Sequence, residues 1–400
     1  PASRRMRRIV FAARCAKGPS MSVKPESVGM CSTRLARIDR FLAQRYVDNG
    51  RLPCALLQVA RGGQLVHQTV LGKASLESGQ PLAEDSLVRI YSMTKPITSV
   101  AFMMLVEQGL VALDDPVHRY IPSWRDLGVY VAGGNGLPGT AAGWQTRPTD
   151  APMRIIDLLR HTSGLTYGFQ NRTNVDAAYR AHQLDTFARS DGLQGFVDAL
   201  ATVPLEFSPG TAWNYSVATD VLGYLVQALS GQPFEQFLRS RIFLPLGMHD
   251  TLAFVDGGQA VSNRAWGYSA VDGNWQRSDQ SSTSAVLGDG GIYSNTHDLA
   301  RWDAALYDDG LLSEGSRALA FGKHVEATGE DHKAHYGFGW RISEDTVWHS
   351  GETIGFRNVI VRWPEHRLTV VLLSNRNEPA PYETALAIGR LFLPGQVLRD

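Results

Sequence analysis

Between Pro96 and Gln108 the apolar residues Ile97, Val100, Ala101, Met104 and Leu105 recur at the i, i+3, i+4, i+7, i+8 spacing of a single helical face. That spacing predicts a helix packed into the core. A polar-faced helix is expected over residues 33–46. After it, residues 55–60 and 64–70 flank Arg61-Gly62-Gly63 and read as a β-hairpin, its glycines admitting the positive φ of a tight turn. The middle of the chain, about 113–286, carries helical stretches at 155–160, 217–229 and 234–241, broken by a Gly/Pro/Thr-rich passage over 133–152. The last third returns to strands at 336–342, 347–349 and 356–363. Pro364-Glu365-His366 then turns the chain into 367–373, and a closing helix follows at 382–391.

Strands joined by short turns imply an antiparallel sheet. A lone hairpin is marginal in water, so the one near the start must join strands from the far end. The expectation is an α/β fold: an antiparallel sheet flanked by helices, with a mostly helical domain inserted. Residues 21–112 and 287–400 would form the α/β part and 113–286 the helical domain, while no internal repeat suggests a solenoid or propeller. Residues 1–20, rich in arginine (Arg4, Arg5, Arg7, Arg8, Arg14), have an apolar run too short for a signal peptide and read as a leader or appended segment.

Composition removes several classes of function. With 400 residues, 44% hydrophobic, the chain can bury a large core. Its 39 basic and 39 acidic residues cancel, so no overall basic field gathers nucleic acid or anionic lipid, and neither is an expected partner. No apolar run is long enough to span a bilayer, and a cytoplasmic protein is expected. Cys15, Cys31 and Cys54 lack the paired spacing of a zinc site or disulfide framework and read as idle thiols in a reducing compartment.

Ser92-Met93-Thr94-Lys95 stands where a loop meets the 96–108 helix, and Pro96 is tolerated because first-turn amides lack an intrahelical partner. Residues three apart share a helix face, so Ser92 Oγ and Lys95 Nζ can meet near the positive end of the helix dipole. A serine hydroxyl needs a base, and burial can leave a lysine neutral enough to serve. A helix cap followed by a surface lysine is the plain alternative. Tyr215 lies on a loop where the 217–229 helix begins, a place where side chains face clefts, although taken alone it is better explained as a packed aromatic with a satisfied hydroxyl. Trp348-His349-Ser350-Gly351 reads as a short strand on which Gly351 lets another backbone approach closely.

In order and spacing these segments resemble the serine β-lactamase and penicillin-binding-protein superfamily, whose signature is Ser-x-x-Lys, a Tyr- or Ser-x-Asn element, and Lys-Thr-Gly on a strand. The likeness is greatest to the family VIII carboxylesterases, related to class C β-lactamases. Further segments share it: Leu158-Leu159-Arg160-His161-Thr162-Ser163-Gly164-Leu165, Gly290-Gly291-Ile292-Tyr293-Ser294 and Tyr336-Gly337-Phe338-Gly339-Trp340. The resemblance implies a β-lactamase-like fold with Ser92 as acylated nucleophile, and Lys95 and Tyr215 as its proton-handling partners. It places an oxyanion hole at the Ser92 and Glu352 amides, requires no cofactor or metal, and leaves water to attack the acyl-enzyme. Tyr167, Trp348, His349, Ser350 and Gly351 are the expected substrate-binding residues.

Two departures bear on substrate. Tyr215-Ser216-Val217 lacks the asparagine of class C enzymes, and His349-Ser350-Gly351 lacks the lysine that pairs with a lactam carboxylate. Both favour neutral short-chain carboxylic esters. The alternatives with the same site are a β-lactamase, an amidase or D-amino peptidase, and an acyltransferase; a catalytically silent binding protein is more remote, given all three site residues. His161, with Asp157 or Asp289, admits a Ser-His-Asp reading, but a histidine capping a helix end accounts for it better. Asp289, between Gly288 and Gly290, is expected to shape a turn near the site. Acyl and alcohol specificity, and the oligomeric state, are not encoded in any readable pattern.

Overall fold

The computed structural model describes residues 23–133, 143–186, 189–255, 259–279, 281, 287–329, 333–376 and 381–393. The leader with Cys15, residues 134–142 of the Gly/Pro/Thr-rich passage and residues 282–286 lie outside them.

The chain opens with α1 (Ser32–Leu42), then β1 (Cys54–Arg61), β2 (Gln64–Gly72), β3 (Val88–Arg89) and α2 (Thr94–Glu107). The middle holds β4 (Val129–Gly133), β5 (Trp144–Arg147), α3 (Ile155–Leu159), α4 (Asn174–Ala181), α5 (Gly192–Leu200), α6 (Ala218–Ser230), α7 (Phe234–Leu238) and α8 (Leu244–Leu246). Three small strand pairs stand apart from the main sheet: β4 with β5, β6 (Tyr268–Val271) with β7 (Asn274–Arg277), and β3 with β8 (Tyr293–Ser294). Then come α9 (Thr296–Ala305), α10 (Glu314–Ala320), β9 (Val325–Glu326), β10 (His335–Tyr336), β11 (Arg341–Ser343), β12 (Thr346–Thr353), β13 (Phe356–Trp363), β14 (Leu368–Ser374) and α11 (Pro381–Arg390).

Eight strands form one antiparallel sheet in the order β2-β1-β14-β13-β12-β11-β10-β9. The early hairpin is joined to the late strands, with Leu57 opposite Leu372 and Val59 opposite Val370. Every residue of β14 is buried, as expected of a central strand covered on both faces. Alternation sorts side chains to the two layers. Leu57, Val359, Val361, Trp363, Val370 and Leu372 pack with α1 and α11, while Leu56, Ile360, Val371 and Leu373 face α2 and the helical layer beyond it.

The helix at 94–107 departs from the expected one-sided pattern. Residues from Thr94 to Met103 are all buried, because α2 lies between the sheet layer and α6 and has no solvent face there. The expected strand at 336–342 is broken into β10 and β11 by a turn in which Gly339 adopts φ +77. The expected helix at 33–46 ends at Leu42 and continues as a π-type turn over Ala43–Val47. Cys54 is buried in the core, which pushes its thiol up to about 12, whereas Cys31 is exposed. Among the described residues no helix is long and apolar enough to cross a membrane.

Candidate active site

Ser92 sits in a single 3₁₀ turn, Tyr91–Met93, that runs directly into α2. Tyr91 holds the uncommon φ of 44, which turns the chain sharply and leaves Ser92 half-exposed on the wall of a cleft of about 690 Å³. One helical turn on, Lys95 is fully buried, and its Nζ lies 3.2 Å from Ser92 Oγ. The i, i+3 contact expected of the two residues is therefore made.

The surroundings of that lysine favour its charged form. Burial pushes its ammonium toward neutrality, but Asp289, then Tyr215 and Asp220, outweigh burial and raise it above its ordinary value. Lys95 Nζ donates to Asp289 Oδ2 at 3.3 Å and to the Asp289 carbonyl at 3.4 Å. Lys95 is thus a cation, and the neutral base expected from desolvation alone is not what the surroundings favour. Asp289 does lie in a turn, and it also supplies this ion pair.

Gly288 is what lets the turn come so close. A Cβ there would lie 2.3 Å from the Thr219 carbonyl at the start of α6, so only glycine fits. The Asp289 amide donates to Asp220 Oδ1 at 3.1 Å, and the Tyr167 hydroxyl donates to Asp289 Oδ2. Burial and the neighbouring Asp289 push Asp220 well above the carboxylate range, Lys95 opposing. Burial, with Asp289 next in weight, likewise holds Tyr167 in its neutral, donating form. Tyr215 completes the cluster from the other side: Lys95 Nζ lies 4.7 Å from the centre of its ring.

Strand β12 forms the opposite wall. A Cβ on Gly351 would lie 1.9 Å from the Ile90 carbonyl, so the glycine is what allows β12 to press against the turn bearing Ser92. Ser350 and Glu352 line the cleft, and Glu352 pairs with Arg357 at 3.1 Å. His349 is fully buried. Its Nδ1 faces the Ser350 carbonyl at 2.7 Å and its Nε2 faces Arg341 Nη1 at 3.2 Å and the Tyr336 hydroxyl at 3.1 Å. Burial, then the Arg341 and Lys95 charges, hold it well below the usual histidine range, as a neutral ring.

Trp348 is not a wall of this cleft. It packs instead against α11, stacking on Tyr382 with ring centres 4.0 Å apart. His161 follows α3 at φ 59, but its ring caps no carbonyl: Nδ1 meets Ser216 Oγ at 3.1 Å. No hydrogen bond joins its ring to Asp157 or Asp289 among the described residues.

Two site residues escaped the sequence reading. Asp220 stands in the first turn of α6, five residues after Tyr215, and that proximity was the available signal. Arg341 directly follows the Tyr336–Trp340 segment, and it restores a cation to the cleft near His349, where the sequence showed no lysine. Only the pairing of β11 with β12, Arg341 opposite Trp348, brings it there.

Against known proteins, the Beta-lactamase family matches residues 40–393. The chain belongs to that family. Family members are serine hydrolases, and the expected kinship with the serine β-lactamase and penicillin-binding-protein superfamily stands. "Penicillin-binding protein 4*" of Bacillus subtilis (strain 168) is 28% identical over 348 residues, 82% of this chain and 69% of that protein. "Esterase EstB" of Burkholderia gladioli is 35% identical over 237 residues, 57% of this chain and 54% of its own length. Among solved structures, "EstCE1, a hydrolase with promiscuous acyltransferase activity" superposes with a TM-score of 0.69 at 23% identity, covering 86% of this chain and 94% of that one. At that identity the likeness speaks for the fold.

Proposed function

We propose that the protein is a carboxylesterase that cleaves short-chain carboxylic esters through an acyl-Ser92 intermediate. The observation that carries the reading is the 3.2 Å contact of Ser92 Oγ with a buried, charged Lys95, in an open cleft faced by Tyr215. As Ser92 Oγ bonds to the ester carbonyl carbon, its proton passes to the phenolate oxygen of Tyr215, and the carbonyl oxygen gains a negative charge. The Ser92 and Glu352 amides are assigned to hold that oxyanion, and the charge on Lys95 acts on the developing alkoxide. Tyr215 then protonates the departing alcohol. Water reverses the sequence: it loses a proton to Tyr215, attacks the acyl carbon and restores Ser92.

Tyr167 and Ser350 line the place for the acyl group, and the close packing at Gly351 sets the distance between β12 and the nucleophile. His349, neutral and buried, orients Ser350 and Arg341 rather than touching substrate. The similarity to EstB supports the ester; the similarity to a penicillin-binding protein and the presence of Arg341 support a second reading, in which a substrate carboxylate meets Arg341 and an amide or β-lactam is cleaved.

Hydrolysis of p-nitrophenyl butyrate by the wild type and by folded Ser92→Ala tests the mechanism. We expect the mutant to lose about a thousandfold or more in kcat/KM. Equal rates would remove Ser92 as nucleophile. Faster turnover of nitrocefin than of any ester in the wild type would favour the second reading.

A further inference from the structure

The chemistry of Ser92 draws on three residues, but the structure surrounds Lys95 with a second set that this chemistry leaves unassigned. Asp289 approaches Nζ with both its carboxylate and its carbonyl. Its carboxylate is held in turn by the Tyr167 hydroxyl and its amide by Asp220, and the whole turn is seated by the close approach of Gly288 to α6. We propose that Asp289 is the counter-ion of Lys95, a positioning residue that keeps the lysine a cation aimed at Ser92 Oγ and so leaves the Ser92 proton to Tyr215. This rests on the reading of Ser92 as nucleophile.

Every group that faces Lys95 fits the assignment. Ser92 and Tyr215 face it from the cleft side, and Tyr167 lies with its ring centre 5.3 Å away. Asp220 approaches from α6, its carboxyl pushed well above the carboxylate range by burial and then by Asp289, and it acts on Lys95 less than Asp289 does. His161 and His349 are within electrostatic reach and are both neutral. Asp289 is therefore the largest opposing charge at Nζ, ahead of Tyr215 and Asp220, and it holds Nζ with two oxygens. A lysine fully charged has no lone pair with which to accept a proton. It can donate to Oγ and hold it, and it can stabilise the alkoxide, but the proton must go elsewhere.

The sign of the test follows. Without the Asp289 carboxylate, burial becomes the dominant influence on Lys95 and lowers it, so the lysine loses its charge at a lower pH. We would measure kcat/KM for p-nitrophenyl butyrate from about pH 6 to about pH 9.5 in the wild type, Asp289→Asn and Asp289→Glu, with Ser92→Ala as control. The wild type and Asp289→Glu should hold a plateau to the alkaline end. Asp289→Asn should fall by about tenfold or more at neutral pH and bend downward within the alkaline part of the range. A profile for Asp289→Asn that runs parallel to the wild type would overturn the assignment, since a merely structural role lowers the curve without bending it. A profile that rises with pH would overturn it too, because neutral Lys95 would then be the base. An active Ser92→Ala would sink the reading beneath the inference rather than the inference alone.

Should Asp289→Asn fail to fold, thermal melting of Lys95→Met and of Lys95→Met/Asp289→Asn decides the point. A counter-ion left alone beside Asp220 is destabilising, so the double mutant should melt at or above the single. A double mutant that melts lower than Lys95→Met would show no such coupling and would overturn the proposal.

Discussion

At the residue scale, the site is defined by groups whose charge is set by what surrounds them. His161 and His349 are both fully buried, and burial, before any charge, depresses each well below its ordinary 6.5. A histidine held neutral in the folded state binds its proton more readily when unfolded. Its contribution is present above about pH 6.5 and is lost as pH falls. We expect each histidine to cost about 1 kcal/mol of stability per pH unit between pH 6.5 and 5, measured by urea unfolding across that range. A stability that is flat over the interval would mean that the rings are charged in the folded protein or solvated on unfolding no differently.

Single residues also set how near the walls come. Gly351 and Gly288 each lie where a Cβ would strike a backbone carbonyl, and each brings one part of the site up to another: β12 to the Ser92 turn, the Asp289 turn to α6. A glycine in a strand pattern signals a close approach of some backbone, which is how Gly351 was legible. Which backbone approaches is not encoded locally.

At the scale of elements, α2 carries Lys95 and follows directly on the turn that bears Ser92, and it is buried on nearly every side. Its periodic apolar residues announced a core helix, yet polar Thr94, Thr98 and Ser99 are buried as well, and Thr98 Oγ1 donates to the Gly288 carbonyl at 2.5 Å. The sheet is closed on its other face by α11, which approaches through Gly389. A Cβ there would lie 2.0 Å from the Trp363 ring. Gly389→Ala should cost about 1–3 kcal/mol of stability, because the helix must lift from the ring. It should leave kcat/KM of the folded protein unchanged, since α11 lies across the sheet from Ser92. A loss of activity without a loss of stability would contradict this placement.

At the scale of the whole molecule, the first hairpin has no sheet of its own. β1 pairs with β14 along seven residues, and β14 is the strand that ties it to β13 and through it to β12. A chain ending at Trp363 would expose β1 and β13 as unpaired apolar edges, and α1 would lose the layer it packs on. We expect that truncated chain to be recovered as aggregate, without the cooperative unfolding transition of the full chain. A soluble, cooperatively unfolding product would mean that the hairpin and the late strands are stabilised separately.

What the sequence determined by itself is what short-range chemistry encodes: the hairpin over 55–70, the helix after Ser92, the late strands, and the Ser92–Lys95 pair, because i, i+3 neighbours on a helix meet whatever lies around them. Ordered motifs extended that to Tyr215 and to the family. Tertiary structure decided the rest. Burial alone lowers a lysine, so the sequence left a neutral and a charged Lys95 both open; an aspartate 194 residues away raises it. Packing against α11 takes Trp348 out of the cleft, and the pairing of β11 with β12 brings the cation Arg341 to it. These outcomes depend on long-range register and on the charges that packing brings together, and neither is carried by any local run of residues.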